Sequence, residues 1–220
     1  MANENYLDDE LLLNARKPEG VLGSKLIDNM NENHEGLVQW SLGYLEISKE
    51  DIILDVGCGG GVNVERFLKM TDREVFGIDF SKLSVERSIE LNKTAIEENR
   101  CEIIEASVSD MPFDDNAFDI VTAFETVYFW PDFVNDLKEI RRILKREGII
   151  FIANEALPNE HDERQKHIIE LLDMNIYSKD ELETSLRNAG FKNIKSFVKH
   201  SKDSFTGDDA DWICVIGQNM

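Results

Sequence analysis

Three alternating glycines, Gly57, Gly59 and Gly61, follow an acid, Asp55, at the end of an apolar segment. Glycine lacks a Cβ, so its backbone can adopt left-handed conformations and bring amide groups close to a ligand. The helix predicted over Val62–Met70 would begin at that ligand, in the crevice at the carboxyl end of a strand where open α/β sheets bind nucleosides. The chemistry indicated is nucleoside binding, and a tight turn without a ligand is the alternative.

A second acid, Asp79, ends the next apolar segment and precedes a helical pattern over Lys82–Glu98. An acid in this place can accept hydrogen bonds from both ribose hydroxyls, and Phe80 beside it is assigned to the same site. A favourable charge at a helix N-terminus is the alternative role for Asp79. The dinucleotide pattern Gly-x-Gly-x-x-Gly would need glycine where the chain has Val62. A nicotinamide cofactor is therefore disfavoured.

The segment from Asp55 to Gly61 resembles the first motif of the class I S-adenosylmethionine-dependent methyltransferases. A third strand is predicted over Cys101–Ser107, and the loop after it carries Asp110 and Met111. The family places an acid of this loop at the adenine amine and an apolar residue against the adenine ring. The resemblance implies S-adenosyl-L-methionine as cofactor and S-adenosyl-L-homocysteine as product. The cofactor-binding residues that it implies are Asp55, Gly57, Cys58, Gly59, Asp79, Phe80, Asp110, Met111 and Glu125.

Residues Phe118–Asp132 are similar to the family's fourth motif, a central strand whose exit carries polar and aromatic residues toward cofactor and substrate. The resemblance places Glu125 at the methionyl amine, through its backbone or its carboxylate, and a strand-end acid in solvent is the alternative. Many small-molecule members carry histidines near positions 126–129, where this chain has none. The candidates for a general base are Tyr128, Glu155 and His161, each with a packing or surface role as the favoured alternative.

Strand and helix patterns alternate along 220 residues, a length that suits one domain. Further strands are predicted over Gly148–Ala156, Asn193–Ser201 and Trp212–Asn219, and Ile89 is expected on a helix face toward the core. The predicted fold class is α/β, a doubly wound Rossmann-like sheet, and the resemblance implies seven strands with the last antiparallel. We divide this single domain into a helical cover at 1–50, a cofactor-binding core at 51–156 and a C-terminal part at 157–220.

The N-terminal cover is expected either to close over the site as a lid or only to cap the sheet. A lid would shield the sulfonium of the cofactor from water during transfer. The residues of the cover that could reach the site are Arg16, Lys17 and Trp40.

The chain is strongly acidic, because 44 acidic and 24 basic residues give a net charge of −20. This charge repels phosphate backbones and anionic membranes, so neither nucleic acid nor a membrane is expected as a partner. A start without a basic, apolar secretion signal and three dispersed cysteines indicate a cytoplasmic protein with reduced thiols. The four histidines show no zinc-ligand spacing, and no metal is predicted. The sequence does not indicate an oligomeric state.

These features predict a transferase of the EC 2.1.1 type that methylates a small-molecule substrate by in-line displacement. Proximity and orientation can supply about 7–11 kcal/mol, whereas a general base contributes about 10²–10⁴-fold, so the missing histidines weigh little against catalysis. Two alternatives stay open: an S-adenosylmethionine-binding protein without efficient transfer, and a protein methyltransferase. The sequence does not identify the acceptor or the atom that is methylated.

Overall fold

The computed structural model describes residues 9–203 and 209–220. Residues 1–8, from whose composition we inferred the lack of a secretion signal, lie outside the described residues, as do residues 204–208.

Within the described residues, seven strands form one sheet. The strands are β1 Ile53–Val56, β2 Val75–Asp79, β3 Cys101–Glu105, β4 Phe118–Phe124, β5 Leu144–Asn154, β6 Lys192–Lys202 and β7 Asp209–Gln218. Their order is β3-β2-β1-β4-β5-β7-β6, with β1 to β5 parallel and β7 antiparallel to both β5 and β6. The predicted α/β fold with an antiparallel last strand is confirmed. The parallel strands bring the residues after β1, β2, β4 and β5 to one edge of the sheet.

Helices cover both faces of the sheet. They are α1 Asp9–Leu12, α2 Gly20–Asn33, α3 Glu35–Leu42, α4 Val62–Met70, α5 Lys82–Leu91, α6 Lys93–Glu97, α7 Phe133–Ile143, α8 Glu163–Leu172 and α9 Lys179–Ala189, with a 3-10 turn at Val127–Phe129. None of the described helices combines the length and apolar character needed to cross a bilayer.

The helix predicted over Lys82–Glu98 is in fact two helices, because α5 ends before Asn92. The side-chain amide of Asn92 donates to the Gly61 carbonyl at 3.1 Å and so connects this break to the glycine loop. Ile89, expected to face the core, is 41% exposed, and that prediction was wrong. The buried face of α5 carries small polar residues such as Ser88, because a Cβ on Gly61 would lie only 2.3 Å from the Ser88 hydroxyl.

The apolar core has one layer on each face of the sheet. Neighbouring residues of β1 alternate between them, so Leu54 packs in the layer under α7 and α9, whereas Ile53 packs in the layer under α3 and α4. Leu137 and Leu186 are fully buried in the first layer and Phe67 in the second. The two layers pack against opposite faces of the sheet that carries the loops at its carboxyl edge.

Polar contacts join the N-terminal cover to the cofactor side of the sheet. The Ser81 hydroxyl donates to the Pro18 carbonyl at 2.8 Å. Arg87 of α5 pairs with Asp28 of α2, and a second ion pair joins α4 to α3. The cover therefore lies directly over the loops that follow β1 and β2.

Candidate functional site

The glycine loop after β1 has a left-handed backbone at Gly57, φ +71°, and at Gly59, φ +53°. The Gly57 and Cys58 amides donate to the Ile78 carbonyl at 2.8 and 2.9 Å. A Cβ on Gly57 would lie 2.2 Å from the Thr126 hydroxyl, whereas a Cβ on Gly59 would meet no atom within 4 Å. Gly57 is thus required for packing, and Gly59 faces open space at the mouth of the cleft.

Asp79 at the end of β2 is 8% exposed and binds backbone on two sides. Its carboxylate accepts from the Gly59 amide at 3.0 Å and from the Ser81 amide at 2.8 Å. Burial raises the pKa of Asp79, and these two hydrogen bonds oppose the rise. Asp79 therefore connects the glycine loop to the start of α5 while lining the cleft.

Asp55 lies beneath the loop and not in the lining of the cleft. It is 2% exposed and accepts a hydrogen bond from the Thr122 hydroxyl at 2.7 Å. Burial raises its pKa to about 7, with the Thr122 hydrogen bond opposing and the nearby Asp79 adding to the rise. Asp55 and Asp79 are thus brought together, with Asp55 as the inner of the two.

Asp110 and Met111 stand apart from the cleft lining. Asp110 is exposed, and its amide donates to the Ser107 carbonyl at 3.2 Å in a tight turn. Met111 is 4% exposed and packs in the core layer under α7. Arg142 fixes this loop by donating to the Phe113 carbonyl at 2.7 Å and to the Met111 carbonyl at 3.2 Å.

The cleft has a volume of about 120 Å³ and is closed on one side by the cover. Cys58 and the 42% exposed Phe80 line it on the sheet side. Burial raises the pKa of Cys58 well above its usual range, which keeps it a neutral thiol. Of the cover residues expected to reach the site, Arg16 lines the cleft. Lys17 pairs instead with Glu19, and Trp40 packs edge-on against Tyr44.

Glu125 directly follows β4 and marks the far end of the cleft. Its backbone is left-handed, φ 56°, and its amide donates to the Ala153 carbonyl at 3.0 Å. Its carboxylate accepts from the Tyr128 hydroxyl at 3.2 Å and from the Glu155 amide. Burial raises the pKa of both Glu125 and Tyr128, so the phenol is a neutral donor to Glu125.

A second, larger cavity of about 530 Å³ adjoins the cleft. It lies between the cover, the ends of β4 and β5, α8 and the β6–β7 hairpin. Two of the candidate bases, Tyr128 and Glu155, line it, while His161 is exposed and outside its lining. The residues common to cleft and cavity are Ala15, Met30, His34, Glu125 and Phe129.

His34 is a site residue that the sequence interpretation missed. It lies between α2 and α3, and ligand atoms of His34, Glu125 and Glu155 all lie within 4.8 Å of one another. Burial lowers the pKa of His34 to about 4, so its imidazole is neutral. No local spacing signals this group, because its members come from three distant segments. Our prediction of no metal was made without it and stays a prediction.

Comparison with known proteins connects this geometry to one family. Residues 54–152 match the family described as a methyltransferase domain. A sterol 24-C-methyltransferase of Aspergillus fumigatus is 30% identical over 185 residues, which make up 80% of this chain and 47% of that relative. The chain spans less than half the length of its plant and fungal sterol-methyltransferase relatives, 37% to 47%.

Solved structures show the same fold over almost the whole chain. A chain of a solved complex that contains the Haloferax volcanii Trm112 methyltransferase activator superposes with a TM-score of 0.76 at 22% identity, over 97% of this chain and 99% of that one. A phosphoethanolamine N-methyltransferase of Haemonchus contortus, solved with S-adenosylhomocysteine, gives 0.77 at 14% identity, over 97% of this chain and 61% of that one. At these identities the likeness is one of fold.

Proposed function

The chain belongs to the class I S-adenosylmethionine-dependent methyltransferases, and from that membership we propose that it methylates a small-molecule acceptor. The observation that carries this proposal is the junction between the cleft and the cavity, where His34, Glu125 and Phe129 line both. A methyl donor in the cleft and an acceptor in the cavity would meet there. Such a fixed approach is what in-line displacement requires.

The residues at the glycine loop suit the cofactor. The open space beside Gly59 leaves room for a ligand against the backbone, and Asp79 presents a carboxylate at the same edge. We assign cofactor contacts to Gly57, Cys58, Gly59, Asp79 and Phe80. When bound, S-adenosylmethionine supplies an electrophilic methyl group on a sulfonium.

The other predicted cofactor residues take different places in this proposal. Glu125, at the end of the cleft, is assigned to the methionyl amine through its backbone carbonyl, which leaves its carboxylate to the cavity. Asp55 supports the loop from below through Thr122. Contacts from Asp110 and Met111 to the adenine require their loop to move toward the cleft, because neither lines it.

We propose that the cover acts as a lid. The cleft volume of about 120 Å³ is below the roughly 300–1,000 Å³ of ordinary small-molecule pockets. A Cβ on Gly60 would lie 2.6 Å from Ile27 of α2, so that helix rests on the glycine loop. Cofactor entry then requires α2 to move, and its return excludes water from the junction.

The acceptor is proposed to be small because the cavity is enclosed by described elements on several sides and has a volume of about 530 Å³. The net charge of −20 argues against nucleic acid as an alternative acceptor. A cytoplasmic location belongs to the same proposal and is supported by three free, buried cysteines.

Calorimetry with S-adenosylmethionine and S-adenosylhomocysteine tests the cofactor, and incubation with methyl-labelled cofactor and a metabolite extract tests the transfer. We expect both ligands to bind and label to enter a small molecule. Binding without transfer would favour a binding protein, and label in a macromolecular fraction would favour a protein methyltransferase. Absence of binding would overturn the proposal.

A further inference from the structure

Two carboxylates and an imidazole face one another where the cofactor cleft joins the cavity. Glu125 follows β4, Glu155 follows β5, and His34 comes from the cover. Their ligand atoms all lie within 4.8 Å of one another. Three elements that are distant in sequence therefore direct acceptor atoms toward one point beside the proposed methyl donor.

The electrostatics of this point favour a cationic ligand. Burial raises the pKa of Glu125 well above its usual range, and the charge of Glu155 raises it further. Burial keeps His34 neutral by lowering its pKa to about 4. The Tyr128 hydroxyl that donates to Glu125 is neutral as well. A cation placed among these groups would be stabilised by both carboxylates.

Three other carboxylates of the cavity lining bind neighbouring groups of the protein. Asp209 pairs with Lys202 at 2.5 Å, and Asp211 lies 2.9 Å from Nδ1 of His200. Asp162 caps the N-terminus of α8. Glu125 lines both the cavity and the cleft, so its pair with Glu155 lies where a charged group of the ligand would meet both carboxylates.

We propose that the methyl acceptor is an amine, bound as its ammonium form by Glu125, Glu155 and His34. This inference rests on the proposed function. An ammonium group has three N–H donors. Hydrogen bonds of about 2.9 Å in tetrahedral directions place their acceptors about 4.7 Å apart, and the ligand atoms of the trio are no farther apart than 4.8 Å.

The rest of the acceptor is an apolar body. Behind the trio the cavity is lined by Leu26 of α2, by Ile168 and Leu172 of α8, and by Met174 and Ile176 of the segment that follows. These walls offer no charge to a ligand, and burying alkyl or ring carbon against them is favourable. The acceptor class is therefore an amine with a hydrophobic substituent.

The carboxylate pair also takes the proton that the amine must lose. One proton passes from the ammonium to the Glu125–Glu155 pair and leaves a neutral nitrogen with a free lone pair. Once the neutral amine turns this lone pair toward the cleft, the lone pair would form the new N–C bond as the C–S bond of the methyl donor breaks and its electrons stay on sulfur. The positive charge moves from sulfur to nitrogen, and the proton on the pair passes to solvent when the product leaves.

The test is calorimetry on the full chain saturated with S-adenosylhomocysteine. The probes are hexylamine, hexanol and hexanoate, which have similar alkyl chains and differ in their polar end group. We expect hexylamine to bind about ten- to a hundredfold more tightly than hexanol, and hexanoate to bind least. Glu125→Gln and Glu155→Gln should reduce hexylamine affinity to that of hexanol and leave hexanol unchanged. Glu163→Gln, on an exposed residue of α8 outside the cavity lining, is the matched control.

Equal affinities of the wild-type protein for hexylamine and hexanol would overturn the inference, and this comparison does not depend on any variant folding. Binding of Mn²⁺ that Glu125→Gln abolishes, without a preference for the amine, would assign the trio to a metal instead. If S-adenosylhomocysteine binds and the amine does not, the inference fails while the proposed function stands. If S-adenosylhomocysteine itself does not bind, both fall.

Discussion

The carboxylate of Asp79 accepts a hydrogen bond from the backbone amide of Gly59 at 3.0 Å, so the end of β2 holds the loop that follows β1. The second oxygen of Asp79 accepts from the Ser81 amide at 2.8 Å. One side chain therefore fixes two loops at the carboxyl edge of the sheet. The shape of the glycine loop and the acid proposed to meet the ribose depend on the same residue.

Asp79→Ala is expected to weaken S-adenosylhomocysteine binding by at least about tenfold. Hydrogen bonds to a charged group contribute about 1.5–3 kcal/mol each, and the substitution removes both the proposed ribose contact and the anchor of the loop. Isothermal calorimetry gives the affinity. Asp72→Ala, which removes an exposed carboxylate paired with Lys49, is the control. An affinity of Asp79→Ala within twofold of wild type would show that the ribose lies elsewhere.

Gly57→Ala and Gly59→Ala are expected to differ in stability although both positions are left-handed. Gly59→Ala should lower the free energy of unfolding by about 1–2 kcal/mol, from backbone strain alone, because its new Cβ meets no atom within 4 Å. Gly57→Ala adds a clash with the Thr126 hydroxyl, at 2.2 Å from the new Cβ, and overpacking typically costs about 1–3 kcal/mol more. Urea unfolding measures both. Equal losses would contradict the packing assigned to Gly57.

The sequence predicts the fold and the glycine loop well because those signals are local. The Val62–Met70 helix has the predicted bounds, and its start is fixed by Gly61 just before it. Alternating strand and helix patterns decide the α/β architecture for the same reason. The prediction for Ile89 was wrong because the spacing of apolar residues does not show how closely α5 approaches the glycine loop. Small serines, and not isoleucine, fit against that loop.

The acceptor side could not be predicted from the sequence. His34 lies close to Glu125 and Glu155 only because the cover folds across the ends of β4 and β5. The periodicity of apolar residues in the sequence does not predict that tertiary contact. The resemblance places Met111 against the adenine ring. In the structure Met111 packs under α7 and is 4% exposed. A local pattern gives the type of element, and the tertiary arrangement decides what a side chain meets.

Asp55 is expected to make the stability of the protein depend on pH. Burial raises its folded pKa to about 7, against the opposing Thr122 hydrogen bond, while the unfolded chain titrates near about 3.9. At a pH between these two pKa values, the Asp55 carboxyl keeps its proton in the folded state and has lost it in the unfolded state. The contribution of Asp55 to the free energy of unfolding therefore falls by at most about 4 kcal/mol as the pH rises from about 4 to about 7. Above about pH 7 it no longer changes.

Asp55→Asn tests this dependence, since an amide does not ionise and its oxygen can still accept from Thr122. Urea unfolding of both proteins between pH 4 and pH 8 should show wild type losing about 2–4 kcal/mol relative to Asp55→Asn. The exposed Asp180→Asn on α9 controls for general charge effects. Parallel stability curves for wild type and Asp55→Asn would rule out the raised pKa.

Arg87→Met distinguishes a lid from a fixed cap. Arg87 of α5 pairs with Asp28 and donates to the Ser24 hydroxyl at 2.5 Å, so it holds α2 over the cleft. If α2 must move for the cofactor to leave, loss of these partly exposed contacts, worth up to about 1 kcal/mol, should speed S-adenosylhomocysteine dissociation up to about fivefold in stopped-flow displacement. Lys82→Met breaks an ion pair within α5 without touching the cover and should leave the rate unchanged. Identical rates for wild type and both variants would mean that α2 caps the sheet and does not gate the cleft.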